Sequence, residues 1–385
     1  MELLTILNLL HSITFKSQKI YGIILSISLY TFVFFIFSII GLIDNVKQSD
    51  INIDKMTNVI FIYMNYLCAA IKFITVLYYD EILSKIISVT FDDFFKSELC
   101  QTKISLLKEK IRKTQIMSFM YATAFCVVFI SWMIVPIAAN LYIHQHFNIT
   151  TRLNCLNLFY PVSQLTYDKY YYIFYLNELI WAIWVIWMIV TFDSLNWSLC
   201  QIISTRYAIV FSAFAKLNTD NENKTNYDNI EHLISDNQRL NRYTKKFFTV
   251  IRPVILFQIA NGTFSIVAST YFISAQLISN SINMYEFSKY FIVMIVMEVQ
   301  VFQYTKCLNE IDIKRDSINF GIYSSNWMTS STRMKKTLLQ VMMINNANNL
   351  KIKATPEKMI NLKFFLSMVK TSYSVVSVML NVKFR

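Results

Sequence analysis

Three ionisable side chains stand inside long apolar runs of this chain: Lys72, Glu178 and Glu298. A lone charge at the centre of a bilayer costs about 2.5–3.5 kcal/mol even on insertion scales, so each needs a partner, water or a function. Lys72 and Glu298 fall toward the same end of their runs. That suits a Lys72–Glu298 pair or an ion-attracting site lining a vestibule. The plainer alternative has the Lys72 stem reaching to the interface, with Glu298 already near it. Glu178, in the opposite half of its run, is placed to line a ligand pocket. A further constellation is uncharged: Ser367, Thr371, Ser374, Ser377 and Asn381 recur at helical spacing, with Val376 and Leu380 as i,i+4 neighbours on another face. A hydroxyl stripe suits either a wet conduit or close helix packing. Catalytic chemistry is not expected. The chain has no Gly-rich phosphate loop, nucleophile elbow or HExxH. His144 and His146 lack a third ligand nearby, so a solvated loop is expected, with no metal and no cofactor.

The elements that must position these groups are membrane spans. Of 385 residues, 55% are hydrophobic and only 16% charged, with four Gly and four Pro. Soluble domains carry about a quarter charged residues, and disordered chains are rich in Gly and Pro. Seven stretches are long and apolar enough to cross about 30 Å of hydrocarbon: Ile20–Ile43, Met56–Tyr79, Ile116–Leu141, Tyr170–Leu195, Ile251–Leu277, Phe287–Tyr304 and Leu362–Leu380. The first lacks a small-residue cleavage pattern and is expected to stay as a span. Helices are expected throughout, because a barrel would need many short alternating segments. The fold class expected is an all-α membrane protein with seven transmembrane helices.

Lys and Arg set the orientation. Loops two, four and six and the segment before the first span hold 25 of them, against 4 in the odd loops. On the positive-inside rule the N-terminus is cytosolic and the C-terminus extracellular. The net charge of +12 therefore points to a membrane face, with no nucleic-acid partner expected. The sequon Asn148-Ile149-Thr150 falls in the third, outer loop, and Asn148 is the glycosylation candidate. Of the six Cys only Cys155 is external, so no outer disulfide framework is available. Met328–Asn346 has apolar residues at Met334, Leu338, Val341 and Met342 and reads as a cytosolic or membrane-surface helix. Leu195–Leu217 and Ile230–Val250 read as helical extensions of spans four and five, joined by the polar turn Asn218–Asn229. The organisation expected is residues 1–303 for spans one to six, 304–350 for a cytosolic anchor, and 351–385 for the last span and a short outer tail.

Seven spans suggest a G-protein-coupled receptor, yet the charge count inverts that orientation. The chain also lacks an acidic-Arg-Tyr triplet after span three and an Asn-Pro-x-x-Tyr end. The run Tyr304-Thr305-Lys306-Cys307-Leu308-Asn309-Glu310, then Ser317 and Ile322-Tyr323-Ser324-Ser325-Asn326-Trp327, resembles the insect odorant receptor family. So do Leu350, Ile352, Ala354, Asn361-Leu362, Phe365 and Lys370-Thr371-Ser372-Tyr373-Ser374, as does the aromatic-proline motif Phe159-Tyr160-Pro161. The likeness is strongest over Tyr304–Asn381. Leu308 stands where the family often has glycine, and Asn237 where it often has histidine. Met379-Leu380 replace the ending of the related gustatory receptors. The short fourth loop resembles a ligand-tuning subunit more than the shared co-receptor.

The resemblance implies a ligand-gated, non-selective cation channel in which tuning subunits assemble with a co-receptor as tetramers. It implies a multi-pass plasma-membrane protein of sensory-neuron dendrites, in contact with lipid and permeating cations. Spans four to six and Met328–Asn346 would form the intersubunit anchor. The last span would line the pore, with Val376 and Leu380 at a hydrophobic constriction and Tyr373 beside it; the hydroxyl stripe would then serve helix packing. A small volatile odorant would bind among the outer halves of spans two, three, four and six. Its candidate contacts are Tyr63, Tyr66, Trp132, Met133, Tyr172, Tyr175, Glu178, Tyr290 and Met294. The alternatives are a gustatory-type channel and a G-protein-coupled chemoreceptor. A transporter would require paired repeats with broken helices.

Overall fold

The structure, a computed structural model, describes residues 18–47, 53–90, 92–101, 104–147, 155–156, 158–217, 224–278, 284–347, 351–355 and 357–383. Eight long helices are used below: α1 (Gln18–Lys47), α2 (Ile53–Tyr78), α3 (Ile104–Phe147), α4 (Tyr171–Ala215), α5 (Lys224–Ile278), α6 (Met284–Asp316), α7 (Thr332–Ala347) and α8 (Leu362–Lys383). Shorter helices include Asp80–Ile87, Gln164–Lys169 and Ile318–Tyr323. The only pairing of extended backbone among the described residues is an isolated bridge between Lys353 and Met359.

Helices α1 to α6 each contain a stretch long and apolar enough to span a membrane. At 1.5 Å per residue the 44 residues of α3 reach about 66 Å and the 55 of α5 about 82 Å. These exceed the hydrocarbon thickness about two- and threefold respectively, so the excess forms helical structure beyond the membrane. Spans four and five do continue as single helices through the expected extensions. The 22 residues of α8 are also enough to cross. This helix is less apolar than the others because Lys363, Lys370 and the hydroxyl residues interrupt it.

Helix α4 is the hub, packing on α1, α2, α3, α5 and α6, while α8 lies against α5 and α6. Its near-continuous apolar sequence suits burial on every side. At the loop-rich end, Arg206 of α4 is fully buried. It donates to the Val89 carbonyl at 3.2 Å and stacks on Phe95 at 4.8 Å. Asp236 of α5 accepts from the Lys96 and Ser97 amides at 3.0 and 2.9 Å, fixing loop two to the bundle. Helix α7 buries Met334, Leu338 and Val341, the residues whose spacing announced it. Asn237 of α5 donates to Asn345 at 3.0 Å, tying α7 to α5. Leu339, Met343 and Ile344 on α7 stay 44%, 70% and 46% exposed.

At the other end, Gly41 of α1 permits a close approach. A Cβ there would lie 2.6 Å from the Tyr160 backbone, so any side chain would push the Phe159-Tyr160-Pro161 segment away.

Candidate functional site

A cavity of about 110 Å³ opens among α2, α3, α4 and α6, the same four spans from which the resemblance implies a pocket. Its walls are Phe61 and Ile62 of α2, Phe125, Phe129, Trp132 and Met133 of α3, Trp181, Ala182 and Val185 of α4, and Val293 and Met297 of α6; Leu156 contributes from the connection between α3 and α4. Aromatic, aliphatic and thioether groups suit a small apolar guest, and the flexible Met side chains adapt to its shape. Polar groups in the lining come from Asn65 and from the indoles of Trp132 and Trp181. Asn65 donates to the Phe61 carbonyl at 2.9 Å and accepts from Asn261 of α5 at 3.2 Å. The indole N–H of Trp181 is buried without a hydrogen-bond partner among the described residues. A buried orphan donor costs about 1–3 kcal/mol, and a guest oxygen would recover that.

One to two helical turns below lies a polar core. Asp193 of α4 is completely buried and pairs with the equally buried Lys72 of α2 at 2.6 Å. Its carboxylate also accepts from the Tyr121 hydroxyl of α3 at 2.9 Å, from Gln300 of α6 at 2.5 Å and from the Tyr304 hydroxyl. Gln258 of α5 donates to the Gln300 carbonyl oxygen at 2.9 Å and accepts from the Cys68 thiol at 2.9 Å. One carboxylate thus gathers four spans directly and a fifth through Gln300. Each member stands just beyond a cavity residue on its own helix: Lys72 after Asn65, Tyr121 before Phe125, Asp193 after Ile189, Gln300 after Met297. The polar core therefore lies next to the apolar cavity in sequence along each helix, and none of its members is among the lining residues.

This corrects the expected Lys72–Glu298 pair. Lys72 is neither snorkelling nor paired with Glu298, because Asp193 reaches it first. Glu298 is only half-buried. Sequence reasoning passed over Asp193, two residues from an expected span end where a carboxylate attracts no notice. The intramembrane amides Asn65, Gln258, Asn261 and Gln300 were the available signal.

Of the expected ligand contacts, Trp132 and Met133 line the cavity. Tyr66 is stacked between Phe35 and Trp181, with centroids 4.5 and 5.2 Å away, and Tyr63 packs edge-on to Phe35 at 5.2 Å; both lie behind the wall. Tyr175 is drawn to the Met133 carbonyl at 2.5 Å. Tyr290 stacks on Phe272 at 4.5 Å, and Met294 accepts from Thr270 at 3.6 Å. Tyr172 is 76% exposed and is not among the cavity-lining residues. Glu178 is fully buried and already saturated. It accepts from the Leu156 amide at 2.7 Å, the Tyr160 hydroxyl at 2.6 Å and the Cys155 thiol at 3.2 Å. It ties the segment around Cys155, Leu156 and Tyr160 to the bundle, and it is not among the cavity-lining residues. Asn148 lies outside the described residues, as do the side chains of His144 and His146.

The last helix sorts its residues onto two sides. Met368, Ser372 and Val376 form a buried ridge on the side of α8 that meets α5 and α6. Val376 is 3% exposed, packed against its own chain. Leu380 is part-buried, and Tyr373 is 74% exposed on one flank. Ser367, Thr371, Ser374, Val378 and Asn381 make an open row at 4-3-4-3 spacing on the side away from the ridge.

The family profile described as 7tm Odorant receptor matches residues 52–373. The chain belongs to that family. The fold agrees: the insect olfactory receptor OR5 from Machilis hrabei superposes with a TM-score of 0.80 at 14% identity, covering 96% of this chain and 91% of that one. The same receptor in complex with eugenol gives 0.79 at 15% identity with the same coverage. No curated protein sequence matches the chain. The odorant receptor is thus a multi-pass, all-helical membrane protein of a receptor family rather than an enzyme class.

Proposed function

We propose that this chain is the ligand-tuning subunit of an odorant-gated, non-selective cation channel, assembled with a co-receptor in the plasma membrane of sensory dendrites. The N-terminus lies in the cytosol and the C-terminus outside. The observation that carries this reading is an apolar cavity seated on a buried polar core that joins five spans. A small volatile guest fills the cavity by replacing poorly held contacts among α2, α3, α4 and α6, and a guest oxygen takes the Trp181 N–H. Eugenol, the guest in the Machilis receptor complex, has the aromatic ring and oxygens such a site suits.

Because the Asp193 carboxylate binds those helices together, a wall displacement moves them as a unit. Helices α5 and α6 carry it to α8, which rests on them. Only a guest that binds the open arrangement more tightly than the closed one acts as an agonist. The open row of α8 faces the permeation path, where hydroxyls and Asn381 solvate passing cations. Val378, 63% exposed, is the aliphatic member of that row, and a ring of such side chains closes a pore by dewetting. The uncovered apolar face of α7 meets the neighbouring subunits.

The test is co-expression with the co-receptor and current recording over an odorant panel that includes eugenol. Odorant-evoked cation currents are expected, and Ala182→Leu, which narrows the cavity, should lower sensitivity to the bulkier agonists. Normal surface delivery with no current to any odorant would reject the reading. Epitope tags on both termini test the orientation.

A further inference from the structure

A groove of about 540 Å³ lies apart from the cavity, where the membrane part of α5 begins and the chain leads into α8. Four cations line it: Lys245 and Arg252 of α5, and Lys351 and Lys353 of the α8 leader. Phe248, Pro253 and Leu256 give it an apolar wall, and no carboxylate is among the lining residues. Lys351 also meets Asp316 at 3.2 Å. No ion pair found among the described residues uses Lys245, Arg252 or Lys353. The fold holds these like charges together. Lys245 and Arg252 are seven residues apart and so share one face of α5. Lys351 and Lys353 are displayed by a closed turn, in which the Ile360 amide donates to Ile352 at 3.0 Å and the Ala354 amide to Lys358 at 2.9 Å. Clustered cations repel one another unless an anion occupies the space between them.

We propose that this groove binds the phosphorylated headgroup of an inositol lipid from the adjacent leaflet. Each phosphomonoester carries about −1.5 to −2 charge and three strong acceptor oxygens, so two such groups match four cations. Basic pockets between membrane helices on the cytosolic side suit such headgroups. The apolar wall accepts the first part of the acyl chains, and Arg252 marks the level at which α5 enters the hydrocarbon. A headgroup here bridges α5 to the leader of the last helix. It therefore holds α8 against the bundle at the end opposite the odorant cavity.

The experiment uses the full-length chain in phosphatidylcholine nanodiscs containing phosphatidylinositol 4,5-bisphosphate, with bound lipid counted by native mass spectrometry. Saturable binding is expected, well above that of phosphatidylserine at matched total charge. Lys245→Gln/Lys353→Gln should weaken it about 30-fold, from the cost of two basic residues at a membrane surface. Lys85→Gln/Lys110→Gln, which removes equal charge from a different loop, should leave it unchanged. Soluble inositol trisphosphate separates the two sources: displacement identifies the headgroup alone as sufficient, and no displacement identifies the membrane lipid. Equal binding by the groove variant and wild type, or equal binding of the two lipids, overturns the proposal. If the double variant elutes as aggregate, Arg252→Gln alone carries the same comparison, with a loss of about fivefold expected.

Discussion

Replacing Asp193 by Asn keeps the shape of the polar core and removes its negative charge. At 2.6 Å and an effective dielectric constant of about 20, the Lys72–Asp193 attraction is worth about 6 kcal/mol before desolvation. Desolvation costs several kcal/mol for each ion and cancels much of that gain. The pair is therefore nearly neutral against an apolar substitute, yet half a pair is costly. Asp193→Asn leaves the fully buried Lys72 ammonium with no counter-charge, a loss of about 3–5 kcal/mol. Lys72→Met strands the carboxylate, but Tyr121, Gln300 and Tyr304 still donate to it, so its loss should sit at the lower end of that range. The double variant Lys72→Met/Asp193→Asn should recover most of the stability, with a coupling energy of about 2 kcal/mol or more. The assay is thermal unfolding of the purified full-length chain in nanodiscs, followed by size-exclusion fluorescence and run as a four-member cycle. Additive losses, with the double variant as weak as the sum of the singles, would refute the argument that ion pairing holds the core.

The same reasoning extends to three other places. Glu178→Ala should free the Cys155–Tyr160 segment at a cost of about 1–3 kcal/mol, read as faster proteolysis of the outer loop. It should lower responses to all agonists alike; a change in agonist ranking alone would mean that Glu178 touches the guest. Trp181→Phe keeps the ring and deletes the N–H. Oxygen-bearing agonists should lose about three- to tenfold in sensitivity while pure hydrocarbons are unaffected, and equal losses in concentration–response curves would discard the donor role. Val378→Cys should let a water-soluble thiol reagent block the current, whereas Val376→Cys should be protected by its packing; the reverse pattern would restore Val376 to the pore.

Which parts were legible in the sequence follows from how local the governing physics is. Span length and apolarity are properties of a segment by itself, and so α1 to α6 were apparent from hydropathy. Amphipathic spacing is equally local, which is why Met334, Leu338 and Val341 announced α7. The family match rested on contiguous motifs after Tyr304. Pairing is not local. Lys72 and Asp193 are 121 residues apart, and nothing in either segment names its partner, so Glu298 looked as good a match.

The facing of a helix is also decided elsewhere. Along α8 the ridge at Val376 and the row at Val378 look alike in sequence until α5 and α6 cover one side. Glu178 shows the same limit, because a buried carboxylate reads as a ligand contact until the Cys155 thiol, the Leu156 amide and the Tyr160 hydroxyl fill it. The sequence by itself determined that this chain crosses the bilayer repeatedly as helices, since free backbone groups in hydrocarbon allow little else. Only the tertiary structure decided which polar groups satisfy one another and which remain for a guest. That choice depends on helix rotation and crossing, and these are set by packing between segments far apart in the chain.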